Sequence, residues 1–193
     1  MSHKVLLVDI ADVPDDTFKE TFQETGYDVA SSLRSMAAIE SHLKLDKHIE
    51  YVVINMTTPT EVCFENLEKV IGNHAVPIVV FTGNSTRKFT EKAAVIGLSA
   101  YIVDGFVPTR IRHIMELAKA RFLEFQSMKT ELEKTRSSLA ERKVIEKAKG
   151  ILMRRRTIDE EAAFQMMRKM AMDKNLKLAD VAKNIINVDT LFT

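Results

Sequence analysis

Residues 51–55 read Tyr-Val-Val-Ile-Asn, a short apolar run rich in β-branched residues that ends on a polar side chain. The same pattern occurs at Val5–Asp9 and Ile78–Thr82, and weaker versions occur at Tyr27–Ser31 and Ala100–Asp104. Such runs are typical of strands buried on both faces, and parallel strands need helical crossovers. Helix-like stretches separate all five runs. The pattern therefore predicts an α/β fold with a five-stranded parallel, doubly wound sheet in the order 2-1-3-4-5.

Polar residues stand at the carboxyl ends of strands one, three, four and five, where this topology forms its functional crevice. They are Asp9, Asn55, Thr82 and Asp104. The arrangement resembles the receiver domain of bacterial response regulators over roughly residues 3–109. That resemblance implies an acidic pair, a phosphoaccepting aspartate, a threonine or serine and a lysine. Here Ile10 follows Asp9, Asn55 stands at the phosphoacceptor position, and Asp104 replaces the lysine.

These departures predict a pseudo-receiver that has lost aspartyl phosphorylation. The amide of Asn55 cannot act as the nucleophilic carboxylate, Asp9 alone is a weak Mg²⁺ site, and Asp104 would repel a phosphoryl group. Two alternatives stay open. In one, Asp12 moves into the acidic site and another residue is modified. In the other, the domain is a plain scaffold in which Asp9 caps a helix that begins near Pro14.

A long helix is expected after the sheet, because no glycine or proline occurs between Thr109 and Gly150. This stretch permits one helix of about 40 residues. Its apolar residues recur every seven positions, as in one seam of a coiled coil. We expect the first part to pack on the sheet and the part beyond about Phe122 to form a homodimer. The alternative is a single amphipathic helix folded back on its own domain. The seam residues are Ile111, Ala118, Phe125, Leu132 and Leu139.

The formal net charge of +1 over 193 residues conceals a polarised chain. Residues 1–109 carry −6, residues 110–140 carry +3 and residues 141–193 carry +4. We expect these segments to be a receiver-like domain, a dimerisation helix and a small basic helical domain. The single cysteine excludes a disulfide framework and fits a cytoplasmic protein. The apolar run Val5–Val8 is too short for the core of a signal peptide, and no run approaches a bilayer span.

The last segment shows three apolar stripes at helical spacing, which predict three short helices. Thr157 and Glu160 fit a capping box at the start of the second helix, and Asn175 fits a left-handed residue that closes it. We expect Met166, Met167, Met170 and Phe164 to be core residues. With only Phe192 besides, the segment then lacks an aromatic platform for stacking bases.

The cations of this segment suit phosphate groups. A solvated charged face is the alternative for any one of them, and the helix macrodipole also favours the arginines at 154–156. The leading candidates combine motif position with expected exposure at a helix end, and they are Lys149, Arg154, Arg155 and Arg168. The full predicted RNA-binding set is Arg142, Lys143, Lys147, Lys149, Arg154, Arg155, Arg168, Lys174 and Lys177.

Three spaced motifs in this segment resemble the ANTAR domain. They are Arg142-x-x-Ile145-x-x-Ala148-Lys149-Gly150-Ile151-Leu152-Met153, Glu161-x-Ala163-Phe164-x-x-Met167-Arg168-x-x-Ala171-Met172 and Asn175-x-Lys177-Leu178-x-x-Val181-Ala182. With its receiver-like front, the whole chain resembles the AmiR/NasT group of transcription antitermination regulators. The resemblance implies a dimer that binds paired stem-loops in nascent leader transcripts and so prevents a terminator hairpin from forming.

The same resemblance implies control either by receiver phosphorylation or by a ligand-sensing partner protein, and Asn55 favours the partner. NasT-like members retain an aspartate at that position, so the inducing signal, nitrate, nitrite or another, stays open.

Other function classes have less support. A DNA-binding response regulator with a helix-turn-helix is the main alternative, although residues 173–177 between the second and third helices contain no glycine. A purely protein-binding adaptor is a further alternative. The sequence contains no histidine pair at ligand spacing and no glycine-rich phosphate loop after a strand. We therefore expect no catalytic activity, no metal and no cofactor.

Overall fold

The computed structural model describes residues 2–12 and 16–191, except for the side chains of Asp16 and Leu191. The chain divides into two compact units, Met1–Ser127 and Met128–Thr193. The helix start predicted near Pro14 and the residue Phe192 lie outside the described residues. No helix in the described ranges is long and apolar enough to cross a membrane.

The first unit alternates strands and helices, as predicted. Its strands are β1 (Lys4–Asp9), β2 (Asp28–Leu33), β3 (Tyr51–Met56), β4 (Ile78–Thr82) and β5 (Ala100–Ile102). Its helices are α1 (Asp16–Glu24), α2 (Ile39–Leu45), α3 (Glu61–Asn73), α4 (Arg87–Ile96) and the first part of α5 (Ile111–Arg156). Short 3-10 turns at Met36–Ala38 and Pro108–Arg110 precede α2 and α5.

The five strands form one parallel sheet in the order β2-β1-β3-β4-β5, which confirms the predicted topology. The central strands are buried on both faces, because their apolar side chains point alternately into two cores. The predicted end of the last strand is wrong. β5 ends at Ile102 because Asp104 and Gly105 both take positive φ values, 70° and 81°, which turn the chain away from the sheet.

The start of α5 belongs to the core of the first unit. Ile111, Met115 and Ala118 are fully buried, and they share a cluster with Phe18 and Phe22 of α1. This confirms that the first part of the long helix packs on the sheet. It also corrects the predicted seam, since Ile111 and Ala118 have no surface left to offer a second copy.

The predicted long helix is confirmed, and α5 runs for 46 residues across the boundary between the units. In the second unit its last turns pack with α6 (Glu160–Lys174) and α7 (Leu178–Leu191). The small core of this unit consists of Ala148, Met167, Ala171, Val181 and Ala182, with Met170 packed against it. The assignment of Met167 and Met170 to the core is thus confirmed. The assignment of Met166 is not, because this residue is partly exposed and lies outside the cluster.

The predicted capping box is wrong by two residues. Asp159 is the N-cap of α6, and its side chain accepts a hydrogen bond of 2.7 Å from the backbone N–H of Ala162. Thr157 instead takes a left-handed conformation with φ of 53°. Glu160 is therefore the first residue of the helix, and its carboxylate is available for another partner. Asn175 closes α6 with φ of 50° and ψ of 43°, as predicted.

Candidate functional site

Three of the four predicted pocket residues meet at the carboxyl edge of the sheet. Asp9 and Asn55 are register partners on β1 and β3, and Thr82 ends β4 beside Met56. Asn55 Nδ2 donates a hydrogen bond of 3.0 Å to Asp9 Oδ1. Asp104 does not belong to this group, because it lies beyond the end of β5 and is exposed.

The cation of this pocket is an arginine that the sequence pattern did not indicate. The guanidinium of Arg34, directly after β2, lies 2.7 Å from Asp9 Oδ2. The Asp9 side chain is 4% exposed and the Arg34 side chain 54%, so the arginine caps the buried carboxylate from the solvent side. Burying an unpaired carboxylate is costly, and Arg34 supplies the positive charge that a metal ion would otherwise provide.

The other polar groups of the pocket are also engaged within the chain. The buried hydroxyl of Thr82 donates a hydrogen bond of 2.8 Å to the backbone oxygen of Asn84. The side chain of Asp12 is exposed, and its backbone N–H donates a hydrogen bond of 2.9 Å to Thr57 Oγ1. Within the described ranges no cluster of three or more histidine, cysteine or acidic residues could hold a metal ion. The pocket is therefore an internally neutralised polar cluster.

The second unit carries a dense set of exposed cations at the end of α5 and along α6. The exposed members of the predicted set are Arg142, Lys143, Lys147, Arg154, Arg155, Arg168, Lys174 and Lys177. Arg156 and Lys169 are exposed as well. Arg155 is partly engaged, because its guanidinium lies 2.7 Å from Asp189 of α7. The remaining side chains can reach a polyanion.

Lys149 does not have the exposure expected of it. Its side chain is 9% exposed, and its ammonium lies 2.8 Å from Glu146 and 2.6 Å from Glu160. Hydrogen bonds to Glu146 and then Glu160 raise the pKa of Lys149, and the bond to Lys149 lowers the pKa of Glu160. The lysine therefore joins α5 to α6 within the unit.

Phe164 is exposed rather than buried, at 36% of its surface. It lies on the wall of an open groove of about 450 Å³, together with Arg168, Met172, Asn175 and Leu176. The helical period of α6 gives the reason. The adjacent Ala163 is buried on the same face of α6 as Met167 and Ala171, and one position further round the helix turns Phe164 outward.

The outer part of the predicted seam leaves large apolar side chains about half exposed. Phe125, Leu132 and Leu139 are 45%, 50% and 55% exposed, and Met128 lies between them at 59%. The ring of Phe125 also approaches Gly97 at the end of α4.

Comparison with known proteins identifies the second unit. Residues 133–186 match the family model of the ANTAR domain. This match spans the end of α5, all of α6 and most of α7. The chain therefore carries an ANTAR domain, as the three sequence motifs indicated.

Two regulatory proteins are similar to this chain. The transcriptional regulatory protein PdtaR of Mycobacterium tuberculosis is 27% identical over 167 residues, which cover 86% of this chain and 81% of that protein. The nitrate regulatory protein of Klebsiella oxytoca is 37% identical over 81 residues, which cover 42% of this chain and 20% of that protein. The chain is thus similar in sequence to two regulatory proteins, over most of its length to one and over less than half of it to the other.

Solved structures show the fold of the first unit. A chemotaxis protein of Vibrio cholerae superposes with a TM-score of 0.51 at 18% identity, covering 60% of this chain and 98% of its own. A response regulator receiver domain protein of Methanospirillum hungatei gives a TM-score of 0.51 at 19% identity. The superposition covers 66% of this chain and 99% of that chain. The first unit has a receiver-like fold.

Proposed function

We propose that this protein is a cytoplasmic, dimeric, RNA-binding transcription antiterminator without catalytic activity. It binds tandem stem-loops in nascent leader mRNA. The observation that carries this proposal is the concentration of exposed lysines and arginines on the segment that matches the ANTAR domain. Each phosphate that such a cation neutralises releases a counterion, and this release drives the association of proteins with RNA.

The antitermination step follows from a shift between two RNA structures. The stem-loops and the terminator hairpin compete for the same nucleotides, so a protein that binds only the stem-loops shifts the equilibrium toward them. At a protein concentration 100 times the Kd, this binding stabilises the stem-loops by about 2.7 kcal/mol. No chemical step is needed, because binding alone shifts the equilibrium.

Dimerisation through α5 is part of the proposal. The exposed side chains Phe125, Met128, Leu132 and Leu139 recur at spacings of three, four and seven residues, as in a helical seam. Exposure of about half of each large apolar side chain is unfavourable in water, and a second copy of the helix would cover them. Two copies present two basic surfaces, which suits a target made of two stem-loops.

Control by a partner protein rather than by phosphorylation is supported by the pocket of the first unit. Asn55 offers an amide where an acyl phosphate would form, and Asp9 is already neutralised by Arg34. In this proposal the regulatory input comes through contact with another macromolecule. We propose that a ligand-sensing protein holds the regulator and releases it when its ligand binds.

Binding measurements at about 0.15 M salt test the proposal. We expect the purified protein to bind an RNA of tandem stem-loops more tightly than duplex DNA of equal length. Arg154→Ala should weaken binding and lower the slope of log K against log salt by roughly 0.7–0.9, the contribution of one phosphate contact. Arg87→Ala is the matched control, because Arg87 is an exposed cation of the first unit. Tighter binding to duplex DNA would favour a DNA-binding response regulator instead.

A further inference from the structure

Phe164 is the one aromatic residue in the part of the second unit that the structure describes, residues 128–191. It lies on the surface, in a unit whose small core would gain from an additional apolar side chain. No ring or cation within the described ranges covers it. The ring is therefore available to an external flat surface.

The groove beside the ring has the size and lining of a ligand site. Its volume of about 450 Å³ lies in the range of small-molecule pockets, and its apolar wall includes Met172 and Leu176, which are 74% and 42% exposed. The lining contains one cation, Arg168, and no carboxylate. An apolar cleft with positive charge at its edge suits an aromatic group attached to an anion, such as a nucleobase and its phosphate.

The positions of Arg168 and Asn175 fit this chemistry. Arg168 follows Phe164 by four residues on α6, so both side chains lie on the same face of the helix. Asn175 lies at the end of the groove, and its backbone N–H is bonded to Ala171 and Met172. Its side-chain amide makes no hydrogen bond within the described ranges. That amide can pair with the edge of a base.

We propose that an unpaired loop base of the RNA stacks on Phe164 in this groove, while Arg168 binds a neighbouring phosphate. The inference rests on the proposed RNA-binding function and adds to it that the protein recognises a base in the loop of the RNA. A second copy of the protein is a poorer occupant. A cationic rim without carboxylates disfavours pairing with another basic surface of the same kind.

The test uses the full chain and an RNA of two hairpins with randomised loops, enriched by binding to the wild-type protein. Phe164→Leu keeps an apolar side chain but removes the π-face. We expect it to weaken binding by about 5- to 150-fold, the range measured for loss of one base stack, without changing the salt slope. Phe164→Trp should retain the wild-type affinity. Arg168→Ala should lower the slope instead.

Val188→Ala is the matched control, because Val188 is a 54% exposed apolar residue in a separate groove of the same unit. Affinities of the wild type and of Phe164→Leu for RNA with abasic loops complete a double-mutant cycle. We expect abasic loops to weaken the wild type as much as Phe164→Leu does, and the two changes together to add little.

The outcomes separate the two proposals. If the wild type binds no hairpin RNA, the proposed function fails. If the wild type binds but Phe164→Leu binds equally well, or if the effects of the variant and the abasic loops add fully, base stacking on Phe164 is wrong and the function stands. If Phe164→Leu weakens self-association rather than RNA binding, the groove is an interface between copies and the stacking proposal is overturned.

Discussion

The ammonium of Lys149 lies 2.6 Å from the carboxylate of Glu160, and the two residues belong to consecutive helices of the second unit. The lysine side chain is almost completely covered, whereas Glu160 is 68% exposed. The contact therefore holds the start of α6 against α5, close to the turn at Thr157. The ion pairs of Lys149 connect the two helices, and little of its side chain is left at the surface.

Acid should weaken this connection between α5 and α6. Because the bond lowers the folded pKa of Glu160 below the ordinary value of 4.5, its contribution to stability is complete above that pH and is lost as the pH falls through the lowered value. The protection factors of the α6 amides, which correct for the pH dependence of intrinsic exchange, should fall in this window. Glu160→Gln should show low protection factors at pH 7 already, with little further change on acidification. A variant with the acid response of the wild type would contradict the assignment.

Removal of Arg34 should destabilise the first unit. Arg34→Ala leaves the buried carboxylate of Asp9 without its cation, and we expect the free energy of unfolding to fall by about 1.5–3 kcal/mol. Denaturant titration measures this change. Asp9→Asn should have a much smaller effect in the Arg34→Ala background than in the wild type, because the two side chains form one interaction. Additive effects would mean that the pair is not coupled.

The pocket should not respond to a small-molecule phosphate donor. Incubation of the wild type with acetyl phosphate and Mg²⁺ should leave the intact mass unchanged. Asn55 offers no carboxylate for phosphorylation, and the carboxylate of Asp9 is already paired with Arg34. The melting temperature should be the same with Mg²⁺ and with a chelator. A phosphoryl adduct mapped to the first unit would contradict the proposed loss of phosphorylation.

Gly97 should tolerate no side chain. It ends α4 in a left-handed conformation with φ of 85°, and an added Cβ would lie 3.1 Å from the ring of Phe125. We expect Gly97→Ala to lower the free energy of unfolding by about 1–3 kcal/mol. Gly72→Ala is the control, since Gly72 lies in α3 and a Cβ added there would meet no atom within 4 Å. That change should raise stability by about 0.5–1 kcal/mol.

Introducing negative charges into the outer part of α5 by mutation should abolish self-association. Leu132→Glu combined with Leu139→Glu places carboxylates on the proposed seam, and we expect a monomer by sedimentation equilibrium where the wild type is a dimer. Leu45→Glu changes a residue that is 84% exposed at the end of α2 and should leave the dimer intact. A wild type that is already monomeric would refute the proposed dimer.

Particular residues show what the sequence could predict. The strand ends Asp9, Asn55 and Thr82 follow from short apolar runs, because a parallel sheet brings its carboxyl ends to one edge. Arg34 was missed because it follows β2, whose polar sequence gives a weak strand signal. Its position next to β1 at the same edge was the signal that could have identified it.

The second unit shows where a helical pattern becomes ambiguous. Ala163 and Phe164 are adjacent, and only the packing of α6 determines which of them faces the core. Lys149 is a lysine like the exposed Lys143 and Lys147, but it is buried and donates a hydrogen bond to Glu160, eleven residues away. A local sequence pattern does not predict tertiary contacts of this kind. It does predict the left-handed conformation of Asn175, because asparagine itself tolerates that conformation at the end of a helix.

The Arg34 guanidinium gives the receiver-like unit a counterion that is covalently part of the chain. The position of this counterion is set by the fold, so the buried carboxylate keeps a cation beside it without drawing one from solution. If the proposed partner control is correct, the unit serves as a surface for another macromolecule and not as a sensor of phosphate donors.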